Sequence, residues 1–310
     1  MKDQVRCELA AMSLGRPVAL TLGKFDGVHR GHQHLIAWLV HRAREEGLAS
    51  LVITLHPHPL EVLQPGTPVS YLCTLEERVN LLQALGPDKV AILTFTSELA
   101  AMSAHQFVSL LREELDMRLL VVGPDMALGH QREGDVQALS SLGRELGFWV
   151  EVVPLLEEDG QRIGSSAVRE ALAKGQMERV AHLLGRNYSV QGLVVRGDGR
   201  GKGLGFPTAN IAVSPEIALP CKGVYVTRAY IGEAGLPACT NIGTRPVFGG
   251  DRLTVETYIL DFQGDLYGRE LKVEFLHRLR DELNFPSVEA LVEAMHQDIA
   301  HTREFFAQHG

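Results

Sequence analysis

Two histidines, in His29-Arg30-Gly31-His32, follow Gly23-Lys24-Phe25-Asp26-Gly27 near the start of the chain. An apolar strand-like run, Val18–Leu22, precedes them, and a helical pattern from Gln33 to Glu46 comes after. Glycines at such a turn let backbone come close to a phosphate, and a helix start offers unpaired N–H groups and a positive dipole end. Two imidazoles there can donate hydrogen bonds to oxygens that gain charge as a phosphoanhydride breaks. A bare His-x-Gly-His would serve equally as a surface helix cap. The strand–turn–helix setting and the Phe-Asp-Gly ahead of it favour a nucleotide site, with His29 and His32 facing a triphosphate.

Three more groups could carry chemistry. Ser165, Ser166 and Arg169 open another helix and suit either phosphate binding or plain capping with a solvated charge, a choice their types leave open. The glycine-dense run Gly197–Gly205, with Gly201, Lys202 and Gly203, matches neither Gly-x-x-x-x-Gly-Lys-Ser/Thr nor Gly-x-Gly-x-x-Gly, so it is not a P-loop. Thr208 and Asn210 alternate where a strand starts and share one face. Oxygen donors so placed suit Mg²⁺, which keeps several waters and bridges substrate phosphates. Glu256 shares a strand face with Thr254 and Tyr258; a glutamate there is commonly just solvated.

The elements that must hold these residues alternate up to about Leu184. Strand-like runs at Val18–Leu22, Leu51–Thr54, Val90–Thr94, Leu119–Val122 and Phe148–Val153 are separated by amphipathic helix patterns, such as Thr74–Leu85 and Ser103–Leu115. Such alternation predicts an α/β domain with a parallel sheet, helices on both faces, and ligands at the carboxyl ends of the strands. The His-Pro-His-Pro at 56–59 and the Gly-Pro-Asp at 123–125 fall at such ends. After Gly185 the texture becomes β-rich, with runs at Tyr188–Val195, Gly223–Ile231, Pro237–Ile242, Thr254–Ile259 and Glu270–His277, followed by a helix from Ser287 to about Ala307. That predicts an antiparallel barrel or sandwich, and two domains, 1–184 and 185–310.

Composition narrows the classes. Of the 310 residues 45% are hydrophobic and 22% charged, ordinary for a globular protein, and the net charge of −8 is spread over two acidic halves. Nucleic acid is therefore not the expected partner. No apolar stretch approaches a membrane span or a signal-peptide core. Cys7, Cys73, Cys221 and Cys239 stand too far apart for a zinc or disulfide framework, which predicts a cytoplasmic protein.

With these residues set out, the chain resembles the bacterial bifunctional riboflavin kinase/FMN adenylyltransferases (FAD synthetases) over nearly its whole length, from Pro17 to about Phe306. The Gly-x-Phe-Asp-Gly-x-His-x-Gly-His run carries the likeness, with Thr54-Leu55-His56-Pro57-His58-Pro59, Ile163-Gly164-Ser165-Ser166-Ala167-Val168-Arg169 and Gly205-Phe206-Pro207-Thr208-Ala209-Asn210. Gly223-Val224-Tyr225, Asn241-Ile242-Gly243-Thr244-Arg245-Pro246 and Val255-Glu256 follow at similar intervals.

The resemblance implies a Rossmann-like nucleotidyltransferase domain and a β-barrel kinase domain with a terminal helix. It implies riboflavin, FMN and ATP as small-molecule partners, with Mg²⁺ as cofactor, and is compatible with a transient homo-oligomer. It assigns Gly23, Phe25, Gly27, Gly31, Ser165, Ser166, Arg169, Gly201, Lys202 and Gly203 to ATP and its phosphates. His58, Asp125, Met126 and Leu128 fall to the flavin, Thr208 and Asn210 to the metal, and Glu256 to the general base.

The chain departs from the family pattern at His56, Gly164, Met126, Leu128 and Val247. Those changes keep two alternatives open: a flavin-binding protein without activity, and an enzyme with a weakened adenylylation half. A class I aminoacyl-tRNA synthetase also uses His-x-Gly-His. The absence of a Lys-Met-Ser-Lys-Ser loop and the acidic charge both oppose that reading.

Overall fold

Leucine- and valine-rich runs, each followed by an amphipathic helix, build the first half as a wound parallel sheet. The computed structural model describes residues 2–158, 160–197, 205–247 and 250–309. In chain order the elements are α1 (Lys2–Met12), β1 (Val18–Gly23), α2 (Arg30–Glu45), β2 (Ala49–His56), α3 (Pro59–Leu63), α4 (Leu75–Gln83), β3 (Lys89–Thr94), α5 (Ser97–Ala100), α6 (Ala104–Leu115), β4 (Met117–Val122), α7 (Val136–Leu146) and β5 (Trp149–Val152). The strands run parallel in the order β3-β2-β1-β4-β5. Side chains alternate across β1. Val18, Leu20 and Leu22 pack with Leu9 of α1 and Leu111 of α6, while Ala19 packs with Ile36 and Leu39 of α2.

The chain leaves β1 for β2 on one side and returns to β4 on the other, so the crevice beyond Gly23 and Val122 is the topological switch point. The sheet's edges are β3 and β5. On β5, Glu151 accepts hydrogen bonds from Trp38 Nε1 at 2.5 Å and Arg42 Nε at 2.9 Å.

The second half starts with α8 (Ser165–Ala173) and α9 (Met177–Leu184). Six antiparallel strands follow: β6 (Tyr188–Val195), β7 (Ala209–Ala212), β8 (Gly223–Ile231), β9 (Ala234–Val247), β10 (Gly250–Ile259) and β11 (Glu270–Arg280), with α10 (Val288–His309) last. They close as a barrel in the order β6-β7-β10-β9-β8-β11, which settles the choice between barrel and sandwich. On β10, Val255, Thr257 and Ile259 are buried, whereas Thr254, Glu256 and Tyr258 are half-exposed on the outer face. Inside, the buried hydroxyls of Thr227, Thr240 and Thr257 form a chain with 2.8 and 2.9 Å links. Isolated hydroxyls would be costly there, and the chain satisfies them mutually.

By packing, the chain divides after Ser165. Helices α8 and α9 belong with the barrel: Cys221 N–H donates to Leu172 C=O at 3.1 Å, and Glu178 meets His277 at 2.5 Å. Gly175, in the turn between them, has left-handed backbone at φ +66°, and a Cβ there would fall 2.4 Å from Arg278 Cδ. Helix α10 is capped by Ser287, whose Oγ accepts Ala290 N–H at 3.2 Å, and is clamped by Arg280. Arg280 donates to both oxygens of the buried Asp298 carboxylate at 2.9 and 2.7 Å.

Removing one partner of that clamp should be felt. Asp298→Ala is expected to destabilise the second unit by about 1.5–3 kcal/mol, the range for a hydrogen bond to a charged group, with Asp298→Asn losing less. Denaturant unfolding followed by hydrogen exchange of the barrel amides measures this.

Candidate functional site

The turn after β1 is shaped by residues that cannot be exchanged freely. Phe25 (φ 47°) and Val28 (φ 42°) both hold left-handed backbone, as does Gly27 between them at φ 76°. A Cβ on Gly27 would lie 2.8 Å from Leu72 Cδ1, and one on Gly31 would lie 2.9 Å from the Ile163 carbonyl oxygen. Gly23 is covered by the Phe25 ring at 3.2 Å from a would-be Cβ. The sharp turn delivers His29 as N-cap of α2, its Nδ1 accepting the His32 backbone N–H at 3.3 Å. That bond fixes the tautomer: Nδ1 is the acceptor, so Nε2 carries the proton.

His32 stacks on His29 with ring centroids 3.6 Å apart, and the Phe25 edge closes the other side at 5.2 Å. Its Nδ1 is buried without a hydrogen-bond partner among the described residues. Burial first, then the charges of His29, Lys24, Arg78 and Arg162, hold the His32 imidazole well below the ordinary histidine range. It is therefore neutral near pH 7 and able to donate one hydrogen bond. Ser165 ties a second strand-end segment to the same turn, its Oγ donating to the Asp26 carbonyl at 3.1 Å. Gly23, Phe25, Gly27, His29, Gly31, His32 and Ser165 thus lie together. Ser166 is exposed and Arg169 half-buried further along α8, beyond the packing boundary.

The residues expected at the flavin are spread over two loops. His58 is buried and caps α3, its Nδ1 accepting Leu60 N–H at 3.1 Å, while its backbone N–H donates to Tyr71 OH at 2.8 Å. Asp125, exposed, pairs with Arg162 at 2.7 Å. Leu128 is buried in the core beside α6, and Met126 packs against that cluster. Both apolar side chains therefore anchor the loop that carries Asp125.

Sequence reasoning missed the layer beneath the turn. Asp26 is 3% exposed; its Oδ1 accepts Leu72 N–H at 2.9 Å and lies 3.8 Å from Arg78 Nη2. Cys73 Sγ accepts Gly27 N–H at 3.3 Å, and burial pushes its thiol up to about 11. Thr54 Oγ1 donates to the Lys24 carbonyl at 3.2 Å. One signal was available: Arg78 sits among the apolar positions of α4.

On the barrel, Glu256 pairs across the ladder with Asn210 of β7 on one side and Asn241 of β9 on the other. Directly opposed residues share a face, so the three form a row on the outer surface. Asn210 folds over Gly197, where a Cβ would fall 2.3 Å from its Nδ2. Thr208 immediately precedes β7 and is half-buried. Thr208, Asn210 and Glu256 offer oxygen donors only, a set that fits a hard cation such as Mg²⁺ and not a soft one. Gly201, Lys202 and Gly203 lie outside the described residues.

Comparison with known proteins accounts for both halves. Residues 12–167 match the FAD synthetase family and residues 184–306 the riboflavin kinase family. The chain is 39% identical to the bifunctional riboflavin kinase/FMN adenylyltransferase of Escherichia coli strain K12, over 93% of this chain and 92% of that one. It is 39% identical to the Pseudomonas fluorescens protein of that name, over 94% of each chain, and 32% identical to the Bacillus subtilis one, over 93% and 92%. Among solved structures, one described as a macrolide-efflux protein from Streptococcus pneumoniae superposes with a TM-score of 0.89 at 29% identity, covering 96% of this chain and 97% of that one. No helix among the described residues is long and apolar enough to cross a membrane. A nucleotidyltransferase-type parallel sheet joined to a flavokinase barrel defines a two-activity transferase. The chain belongs to the family of bifunctional riboflavin kinase/FMN adenylyltransferases.

The buried neutral His32 makes stability depend on pH. Below about pH 6.5 the unfolded chain takes up a proton at this imidazole that the folded chain refuses, so stability falls as pH falls. The thermal midpoint of the first unit should drop between pH 7.5 and 5.5, and His32→Gln should flatten that drop. Calorimetry at a series of pH values checks it.

Proposed function

We propose that this chain phosphorylates riboflavin to FMN with ATP, then adenylylates FMN to FAD with release of pyrophosphate. Residues 1–184 would carry the adenylylation and 185–310 the kinase step. The observation that carries the first assignment is the stacked His29–His32 pair at the start of α2, on the switch point of the sheet.

In adenylylation the FMN phosphate is already an anion, so no strong base is needed. The task is to hold two anionic groups together and stabilise charge on the α-phosphate and the leaving pyrophosphate. His29 Nε2–H and a neutral His32 would donate to those oxygens. Gly23, Gly27 and Gly31 would admit the phosphates to the backbone, Phe25 would wall the imidazoles, and Ser165, Ser166 and Arg169 would hold the pyrophosphate. His58 and Asp125, on loops anchored by Tyr71, Met126 and Leu128, would contact the flavin.

In the kinase step the nucleophile is a neutral alcohol, and a base assists its attack. Glu256 would accept the hydroxyl proton at its carboxylate, oriented by the asparagines on either side. Gly201, Lys202 and Gly203 would cover the ATP phosphates. Thr208 and Asn210 would hold Mg²⁺, which when bound neutralises phosphate charge. The protein would work in the cytoplasm on small molecules, without nucleic acid.

Substitutions in the full-length chain test the split. His29→Ala and His32→Ala should each lower FAD formation from FMN by ~10²–10³-fold and leave riboflavin phosphorylation near wild type. Glu256→Gln should do the reverse, cutting the kinase kcat by ~10²–10⁴-fold with little change in riboflavin KM. Loss of both activities in either folded variant would overturn the two-site assignment. A Glu256→Gln defect rescued by added Mg²⁺ would make Glu256 a metal ligand instead of a base.

A further inference from the structure

Arg78 is the least expected charge in the molecule. It lies on α4 and is 1% exposed, so a full cation sits where water cannot reach it. Burying such a charge costs several kcal/mol unless partners restore what water supplied. Its partners fall short of that. Asp26 lies at 3.8 Å, beyond direct hydrogen-bonding distance, and its Oδ1 already takes the Leu72 N–H. Nη1 donates to the Leu55 carbonyl at 3.3 Å, the guanidinium lies 5.4 Å over the Tyr71 ring, and Nε has no partner among the described residues.

Each of those partners belongs to a loop at the candidate adenylylation site. Asp26 is in the turn that presents His29 and His32. Leu55 is near the end of β2, just before the His-Pro-His-Pro segment. Tyr71 OH accepts the His58 backbone N–H and donates to Glu61. Leu72 and Cys73, next to Tyr71, pack on and bond to Gly27.

We propose that Arg78 is a positioning residue for FMN adenylylation, a buried cation that locks the turn carrying the two histidines to the loop carrying His58. It does so through Asp26 on one side and Leu55 and Tyr71 on the other. The proposal rests on the adenylylation reading above. Fixing these loops against each other sets the distance between the nucleotide and flavin subsites, and an error of about 1 Å in such a distance can cost ~10²-fold in rate.

The test uses the full-length chain, with His32→Ala assayed in parallel. Arg78→Met should lower the kcat for FAD formation by ~10²-fold, with Arg78→Lys recovering part of it, while riboflavin phosphorylation is unchanged. Simple loss of folded protein would scale Vmax alone. Misplacement should also raise the KM for FMN and move the acid limb of the pH profile upward. That move follows because His32, faced by His29, Lys24, Arg78 and Arg162, loses one neighbouring positive charge. Tyr71→Phe keeps the ring beneath the guanidinium and removes the hydroxyl that holds His58. It should raise the FMN KM and leave the ATP KM alone.

Folded Arg78→Met with wild-type kcat, KM and pH profile, beside an inactive His32→Ala, overturns the role of Arg78 and spares the site. If Arg78→Met does not fold, Arg78→Lys and Tyr71→Phe decide, and unchanged kinetics in both overturn the proposal. If His32→Ala retains FAD formation, the adenylylation reading itself fails.

Discussion

Two imidazoles stacked at 3.6 Å repel strongly if both are positively charged in a buried site, and this repulsion constrains the turn at the end of β1. His32 has to be kept neutral, yet aimed at the place where phosphate charge would gather. Helix α2 meets both demands. Its first backbone N–H groups and dipole favour an anion, and its N-cap is His29 itself, so the bond that starts the helix also selects the ring tautomer. The left-handed residues before it are the cost of turning from β1 into α2 within so few residues. Leu72 and Ile163, packed against the missing side chains of Gly27 and Gly31, hold that strain in place.

The second half poses a different problem and solves it with regularity. Where the parallel sheet gathers its residues from loops, the barrel sets Asn210, Glu256 and Asn241 on three adjacent strands in one register. Hydrogen-bonded ladders fix their spacing, so no loop has to be steadied. Thr240 and Thr257 lie on the opposite face of β9 and β10, joined to Thr227 of β8, and make that register hard to slip, because a shift of one residue would bring Glu256 inside.

The sequence pattern exposed some of this plainly and hid the rest for identifiable reasons. Tyr188–Val195 and Gly223–Ile231 matched their strands end to end, because their β-branched residues are bounded by Gly, Pro and Lys. Ser103 announced α6 through a complete capping box with Gln106. Strand β9 runs from Ala234 to Val247, well past the expected Pro237–Ile242, since Gly235, Pro237 and Gly243 interrupt the pattern while strands on both sides supply the pairing. Helix α1 carries too few apolar residues to stand out, yet Val5, Leu9 and Met12 fill the core. In the site, motif spacing pointed to His29, His32 and Ser165, which are local or at strand ends. Asp26–Arg78 and Gly27–Cys73 link positions about fifty residues apart, and only the tertiary fold brings them together.

The two halves also differ in what they offer to another chain. A closed barrel has every strand paired on both sides, so it presents no row of unmet peptide groups for a neighbour to extend. The five-stranded sheet has β3 and β5 at its borders, and β5 carries Trp149 at 63% exposure. Glu151 sits on that same border, its carboxylate turned onto the α2 face and held there by Trp38 and Arg42. The burden of resisting edge-to-edge aggregation therefore falls on the half that leaves the ribosome first, at two borders, not on the barrel.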